Sequence, residues 1–275
     1  MRWRNSRRSE NVVDARGKSR SRVRIGGGAT LVIVLAVWLL GGDPSQALRI
    51  LSSAPQSAPT PQAPPPNDES AAFLSAVLAM TEDVWAEIFA SNGATYRPPT
   101  LVLFSGVVQS GCGTASSASG PFYCPPDQDM YLDTEFFDQL ARMGGPGDFA
   151  QAYVIGHEVG HHVQNLTGTL DEARRLQQRS SQTEANAIQV RIELQADCYA
   201  GVWAHHANRR GQVLEPGDVE EGLAAAAAIG DDSIARSAGR AARPESFTHG
   251  TSDQRRRWLM AGLETGDISA CDTFR

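Results

Sequence analysis

The chain has 275 residues, with 25 Lys and Arg against 31 Asp and Glu, for a net charge of −6. The charge is divided along its length: residues 1–24 carry nine basic and two acidic groups (9 − 2 = +7), the remainder 16 and 29 (16 − 29 = −13). So acidic a main body argues against nucleic acid as a partner; only the basic arm has the charge to touch anionic lipid.

After the arm comes Ile25 to Gly42, uncharged throughout, with an apolar run from Leu31 to Leu40. Its length is at the short end for a membrane-spanning helix. A secretory signal peptide is the rival reading, but no small-residue cleavage site follows the run, which favours an anchor. The positive-inside rule then puts residues 1–24 in the cytoplasm. The expectation is a single-pass protein of the cell membrane with its main domain extracytoplasmic. Residues 43–70 are rich in Pro, Ala, Ser and Gln, with Pro55, Pro59, Pro61, Pro64, Pro65 and Pro66 giving a semi-rigid spacer. Residues 71–275 are enough for one domain with a sizeable core.

Within that domain, Ala71 to Ala90 predicts an amphipathic helix, with Phe73, Val77, Met80, Val84 and Ile88 on one side. Leu101 to Phe104 predicts a buried strand, and Met130 to Asp133 has strand character. Ala152, Ile155, Val159 and Val163 recur at helical spacing, with Asp148 as N-cap and Gly168 as stop. A further helix is predicted from about Thr183 to Asn208, and an alanine-rich one over Leu223 to Ile229. Thr251-Ser252-Asp253-Gln254 reads as a capping box opening the last helix.

The second of these helices holds His157-Glu158-Val159-Gly160-His161. Residues four apart share a helix face, so His157 and His161 can offer two imidazoles to one metal ion with Glu158 beside them as a general base. The alternative is a buried helix whose histidines are satisfied by hydrogen bonds. A catalytic zinc site needs a third protein ligand and an open position. The later helix offers Glu193 and Asp197, also four apart, among Ile192, Ala196, Tyr199, Ala200 and Trp203. Buried carboxylates must be paired or bind metal. Glu193 is then the candidate third ligand of one Zn²⁺. Asp197 is the candidate acceptor for the second ring N–H of a ligating histidine. An ordinary solvated Glu/Asp pair is the plainer alternative. His162, His205 and His206 are not expected to be ligands, and Tyr131 and Tyr153 are weaker candidates for the site.

Four cysteines suit an oxidising compartment and allow three pairings, or four free thiols. The favoured bonds are Cys112–Cys124, closing a Gly/Ser-rich loop, and Cys198–Cys271, bracing the helix that carries Glu193.

Several blocks together resemble the bacterial putative neutral zinc metallopeptidase family and, more distantly, the thermolysin-like gluzincins. They are Cys124-Pro125-Pro126-Asp127-Gln128 with Met130-Tyr131-Leu132-Asp133; Gly156 to Asn165; Glu193 to Cys198; and Ser246-Phe247-Thr248-His249-Gly250-Thr251-Ser252 with Gln254-Arg255. The resemblance covers roughly residues 70 to 275. It implies a zincin-like α+β fold, mainly helical with a small edge sheet, here following the transmembrane helix. It also implies hydrolysis of peptide bonds in a peptide or protein substrate by a zinc-bound water, with Glu158 as general base. It points to Met130–Asp133 as an edge strand that pairs with substrate, and to His249 as a donor to the oxyanion. The local alternative for His249 is mere packing ahead of the last helix. A loop within Ser110 to Gly120 could cover the cleft. The competing function is a non-catalytic scaffold with a zinc-stabilised fold.

Overall fold

The computed structural model describes residues 1–16, 64, 65 and 67–275. The apolar run 25–42 and most of the Pro-rich stretch lie outside them. Asp68 accepts from the Ala71 N–H and opens α1 (Glu69–Ser91). The stripe predicted for this helix is too narrow. Phe73, Leu74, Val77, Leu78, Val84 and Trp85 are all buried, so the first two-thirds of α1 is a core helix with apolar residues on most sides.

A four-stranded sheet lies in the order β1 (Val12–Asp14), β2 (Thr100–Phe104), β6 (Asp129–Asp133), β5 (Phe122–Cys124). The first three strands are parallel, and β5 runs antiparallel to β6. Leu101 faces Met130 and Leu103 faces Leu132 across the centre, and all four are buried. Strands β3 (Val107–Ser110) and β4 (Gly113–Ser116) form a separate hairpin. Strand β6 therefore has neighbours on both sides, and the expectation that Met130–Asp133 forms an edge does not stand. Among the described residues the edge strands are β1 and β5, of three residues each, too few for a periodicity signal.

The rest is helical: α2 (Glu135–Arg142), α3 (Asp148–Leu166), α4 (Thr169–Gln177), α5 (Gln182–Gly211), α6 (Asp218–Ala228), α7 (Asp231–Ser237) and α8 (Ser252–Thr265). Ser181 and Glu184 form a capping box on α5, and Thr251 and Gln254 form the expected one on α8. Helix α5 is the axis of the domain, packed between α3 and α8. Two close approaches set it there. A Cβ at Gly160 of α3 would lie 2.9 Å from the Ala196 carbonyl oxygen, and one at Gly262 of α8 would collide with the Cys198 carbonyl. The Cys198–Cys271 and Cys112–Cys124 disulfides are both formed.

Residues 1–14 belong to the same compact unit as residues 63–275. Met1, Trp3 and Val12 are buried in the shared core, and Trp3 packs edge-on against Phe73 at 5.3 Å. The Met1 ammonium donates to Asp148 at 2.6 and 2.7 Å. These contacts correct the anchor reading. A single crossing at 25–42 would put β1 and β2 on opposite faces of a bilayer, yet Val12–Asp14 pair with Leu101–Leu103. Among the described residues no helix is long and apolar enough to cross a membrane. The mainly helical α+β architecture stands. The transmembrane helix before it, the membrane partnership and the single-pass cell-membrane location do not.

Candidate metal centre and cleft

The sequence suggests Asp148 as the N-cap of α3, but Asp148 is instead the first helical residue, and the cap comes from another element. Gly147 occupies the N-cap position, and the Phe149 N–H donates to Glu221 of α6 at 3.0 Å. The Asp148 carboxylate, in the first turn where the helix dipole favours it, holds the Met1 ammonium. Asp148, Asp218 and Glu221 form an acidic cluster in its own right, which that ammonium enters.

Two turns on, His157 and His161 lie on one face with ring centroids 4.7 Å apart. Glu193 of α5 meets both: His157 Nε2 is 3.2 Å from one carboxylate oxygen and His161 Nε2 is 3.6 Å from the other. The donor atoms of all three lie within 4.8 Å of one another and could hold a metal ion. The remaining ring nitrogens are engaged elsewhere. His157 Nδ1 lies 2.8 Å from Asp197 Oδ1, and His161 Nδ1 lies 2.8 Å from Gln164 Oε1. Both rings thus turn Nε2 towards Glu193, the usual orienting role of a second layer of hydrogen bonds. Gln164 is itself fixed by the Ile192 carbonyl and by Gln195. Gln189 donates to Glu193 at 3.0 Å.

Behind His157 lies a buried network that the sequence reading only half foresaw. Asp197 is fully buried and accepts from Arg255 Nε at 2.8 Å, from Arg255 Nη2 at 2.9 Å and from the Tyr153 hydroxyl at 2.5 Å. Burial alone would oppose its ionisation, but Arg255 and His157 outweigh that and hold the Asp197 carboxyl below its ordinary range. Glu193 follows the same logic: burial opposes the charge, and the His161 and His157 rings overcome it. Burial also works against a proton on His157, yet Asp197 and Glu193 raise that group to about 9, so a cation at Nε2 would take that proton's place. Arg255 is 1 % exposed and belongs to the metal side of the site. Its signal was legible: it shares a helix face with Leu259 and Gly262, and an arginine on a buried stripe needs a buried anion.

Glu158 is buried and, among the described residues, its Oε2 has no hydrogen-bond partner. Burial raises its pKa, with the neighbouring histidines acting the other way. It borders a cavity of about 710 Å³ that also takes in His157, His161, Glu193, His249 and Arg255. Part of the wall is Ala118, Ser119 and Gly120, the end of the loop expected near the cleft, followed by β5.

His249 lines this cavity and also lies just before the α8 capping box. Its loop is shaped by Asp231 at the start of α7, which accepts the backbone N–H groups of Thr248, His249 and Gly250 at 2.7–2.9 Å. The bond from Nδ1 to Asp231, 3.2 Å, raises the pKa of the half-exposed ring. Asp231 carries no sequence pattern that marks it, because the contact spans two elements. The other histidines lie elsewhere: His205 and His206 bond the Leu263 and Gly266 carbonyls, and His162 bonds Arg97 and Tyr123. Tyr131 donates to Asp127.

Two histidines and a carboxylate on two packed helices, bordering an open cavity, form the donor set used by zinc hydrolases of the His₂Glu type. The chain belongs to the putative neutral zinc metallopeptidase family, whose model matches residues 1–274. The match includes the N-terminal segment as well as the domain, in keeping with the packing of Met1 and Trp3. The family implies zinc and a peptide substrate. The chain is 45 % identical over 284 residues to the uncharacterized protein YpfJ of Escherichia coli K12, covering 100 % of this chain and 99 % of that one. It is 49 % identical over 190 residues to the uncharacterized protein Rv2575 of Mycobacterium tuberculosis H37Rv, covering 65 % and 63 %. No solved structure matches it.

Proposed function

We propose that this chain is a zinc-dependent endopeptidase. The observation that carries the reading is the convergence of His157, His161 and Glu193 beside an unpartnered, buried Glu158 oxygen at one cavity. The residues fit the ion: the three donor atoms lie within 4.8 Å of one another beside the cleft, and each histidine has its other nitrogen tied down. When bound, zinc supplies a Lewis acid that polarises a peptide carbonyl and eases ionisation of water. Glu158 Oε2 is the base that takes the proton of the attacking water and hands it to the leaving amine nitrogen. The burial that raises its pKa brings it nearer the range a proton shuttle needs. His249, with Nδ1 bonded to Asp231, is the donor to the developing oxyanion, and that bond favours the protonated ring such a donor needs. Asp197, clamped by Arg255, holds the His157 ring in place. An extended peptide pairs with the free edge of β5 along the cavity wall.

A scaffold with a structural zinc is the competing reading. It gives no reason to bury a carboxylate oxygen without a partner, which costs about 1–3 kcal/mol. The deciding experiment measures zinc content and cleavage of a peptide library with the full chain beside Glu158→Gln, which keeps shape and the three donors. One zinc in both and cleavage only by the wild type is the expected result. Zinc in both without cleavage by either supports the scaffold, and no zinc in either overturns the site.

A further inference from the structure

The peptidase reading uses one face of α3. The neighbouring face carries His162 and Asn165, and the structure gives these two residues one shared partner. The Tyr123 hydroxyl, on β5, donates to His162 Nδ1 at 3.0 Å and accepts from the Asn165 side-chain N–H at 2.9 Å. His162 is in turn fixed, because its Nε2–H donates to the Arg97 carbonyl at 2.6 Å. That bond leaves Nδ1 as the acceptor the tyrosine requires. The ring is fully buried and held edge-on by Tyr123 at 5.3 Å and by Tyr96 at 5.7 Å. Every polar atom of the Tyr123–His162–Asn165 cluster named here is paired.

Strand β5 needs such a clamp. It pairs with β6 on one side only, and among the described residues its other edge has no strand partner. Short edge strands fray easily. Yet Phe122 and Tyr123 line the cavity shared with His157, Glu158 and His161. His161 and His162 are adjacent on one rigid helix, and Asn165 is one turn beyond. Because a helix fixes the spacing of its side chains, a clamp from α3 to β5 fixes the spacing from the metal-binding turn to the sheet edge.

We propose that His162 and Asn165 are positioning residues: through the Tyr123 hydroxyl they hold the β5 edge in register with the metal-binding turn, so that an extended peptide laid on β5 presents a backbone carbonyl to His157 and His161. This inference rests on the peptidase reading for the identity of the ligand. It adds what sets the register of that ligand, and it predicts a dependence on peptide length, since a dipeptide makes little use of the edge.

The test uses the zinc-loaded full chain and three variants. His162→Phe keeps ring volume and removes both hydrogen bonds. Asn165→Leu removes the donor. His162→Asn keeps an acceptor at the Nδ1 position. The expected result for His162→Phe and Asn165→Leu is a roughly tenfold rise in KM for a decapeptide substrate with kcat nearly unchanged, the scale of one positioning hydrogen bond. KM for a dipeptide blocked at both ends should not move, and His162→Asn should recover most of the loss. Hydrogen exchange should quicken at residues 118–125 and not in α3. A purely structural role would instead lower thermal stability while leaving the length dependence of KM and the exchange at 118–125 as in the wild type, and that outcome overturns the inference. The same variants on a Glu158→Gln background give the Kd of the decapeptide that Glu158→Gln binds most tightly. A Kd unmoved by His162→Phe sinks the clamp even if the wild type cleaves nothing, whereas absence of cleavage with a shifted Kd sinks only the peptidase reading.

Discussion

A methyl group added at Gly160 probes the packing that brings the two donor helices together. The new Cβ would lie 2.9 Å from the Ala196 carbonyl oxygen, 3.0 Å from its Cα and 3.2 Å from its Cβ. Two of these atoms are backbone of α5, so they cannot rotate away. In an exposed helix Gly→Ala would gain about 1 kcal/mol of helix propensity. Against it stands the cost of overpacking, about 1–3 kcal/mol. With backbone on the far side the upper half of that range applies, so a net loss of about 1–2 kcal/mol is expected, or roughly 4 °C in Tm. The functional effect should exceed the structural one. Relief of the clash moves α3 from α5 by a few tenths of an ångström. His157 and His161 ride on α3 and Glu193 on α5, and metal–ligand distances tolerate only about 0.2 Å. Zinc affinity should fall about tenfold or more, comparable to loss of an orienting hydrogen bond. Thermal melts and zinc competition titration measure both. A Gly160→Ala chain with raised Tm and unchanged zinc affinity would refute this account of how the donors are brought together.

Three further perturbations follow from the same contacts. Arg255→Leu leaves Asp197 buried without its cation and should cost about 3–5 kcal/mol in urea unfolding; a loss under about 1 kcal/mol would show that the pair is not what neutralises Asp197. His162 is held down to about 4 by burial, from 6.5, so the unfolded chain binds a proton that the fold refuses. Its contribution to stability is complete above pH 6.5 and declines as pH falls towards 4, by about 3 kcal/mol. Comparing unfolding of wild type and His162→Asn across that window isolates the slope, and identical slopes would contradict it. Opening Cys198–Cys271, a loop with sequence separation 73, by a double serine substitution should cost about 4 kcal/mol in chain entropy, against about 3 for Cys112–Cys124, with separation 12. Chemical denaturation that ranks them the other way would indicate strain or residual structure as the larger factor.

Much of the site could be read without coordinates because its information is local. His157, Glu158 and His161 fall within one helical turn, and the apolar residues around them declare that turn helical and buried. Glu193 and Asp197 were legible for the same reason, as two carboxylates four apart in an apolar helix. So was the capping box at Thr251, whereas the cysteine pairing was only one favoured choice among three until the structure showed both bonds. Arg255 needed one more step, from a charged residue on a buried stripe to the anion it must meet. Asp231, Tyr123 and the Glu221 cap of α3 had no comparable mark, since each acts on a residue of another element.

The amino-acid pattern thus determined by itself that two helices carry two histidines and two carboxylates, while the α+β body around them was implied by the family resemblance. Only tertiary structure decided that β5 and not β6 is an edge strand, because strand order depends on long-range pairing that a period of two cannot report. It also decided the fate of the first fourteen residues. Charge and hydropathy read them as an arm beyond a membrane, since both are properties of a segment taken alone. Met1 and Trp3 instead join a core built from residues far along the chain, and Val12–Asp14 pair with Leu101–Leu103. Burial and pairing of that kind are decided by partners distant in sequence, and no window of neighbouring residues contains them.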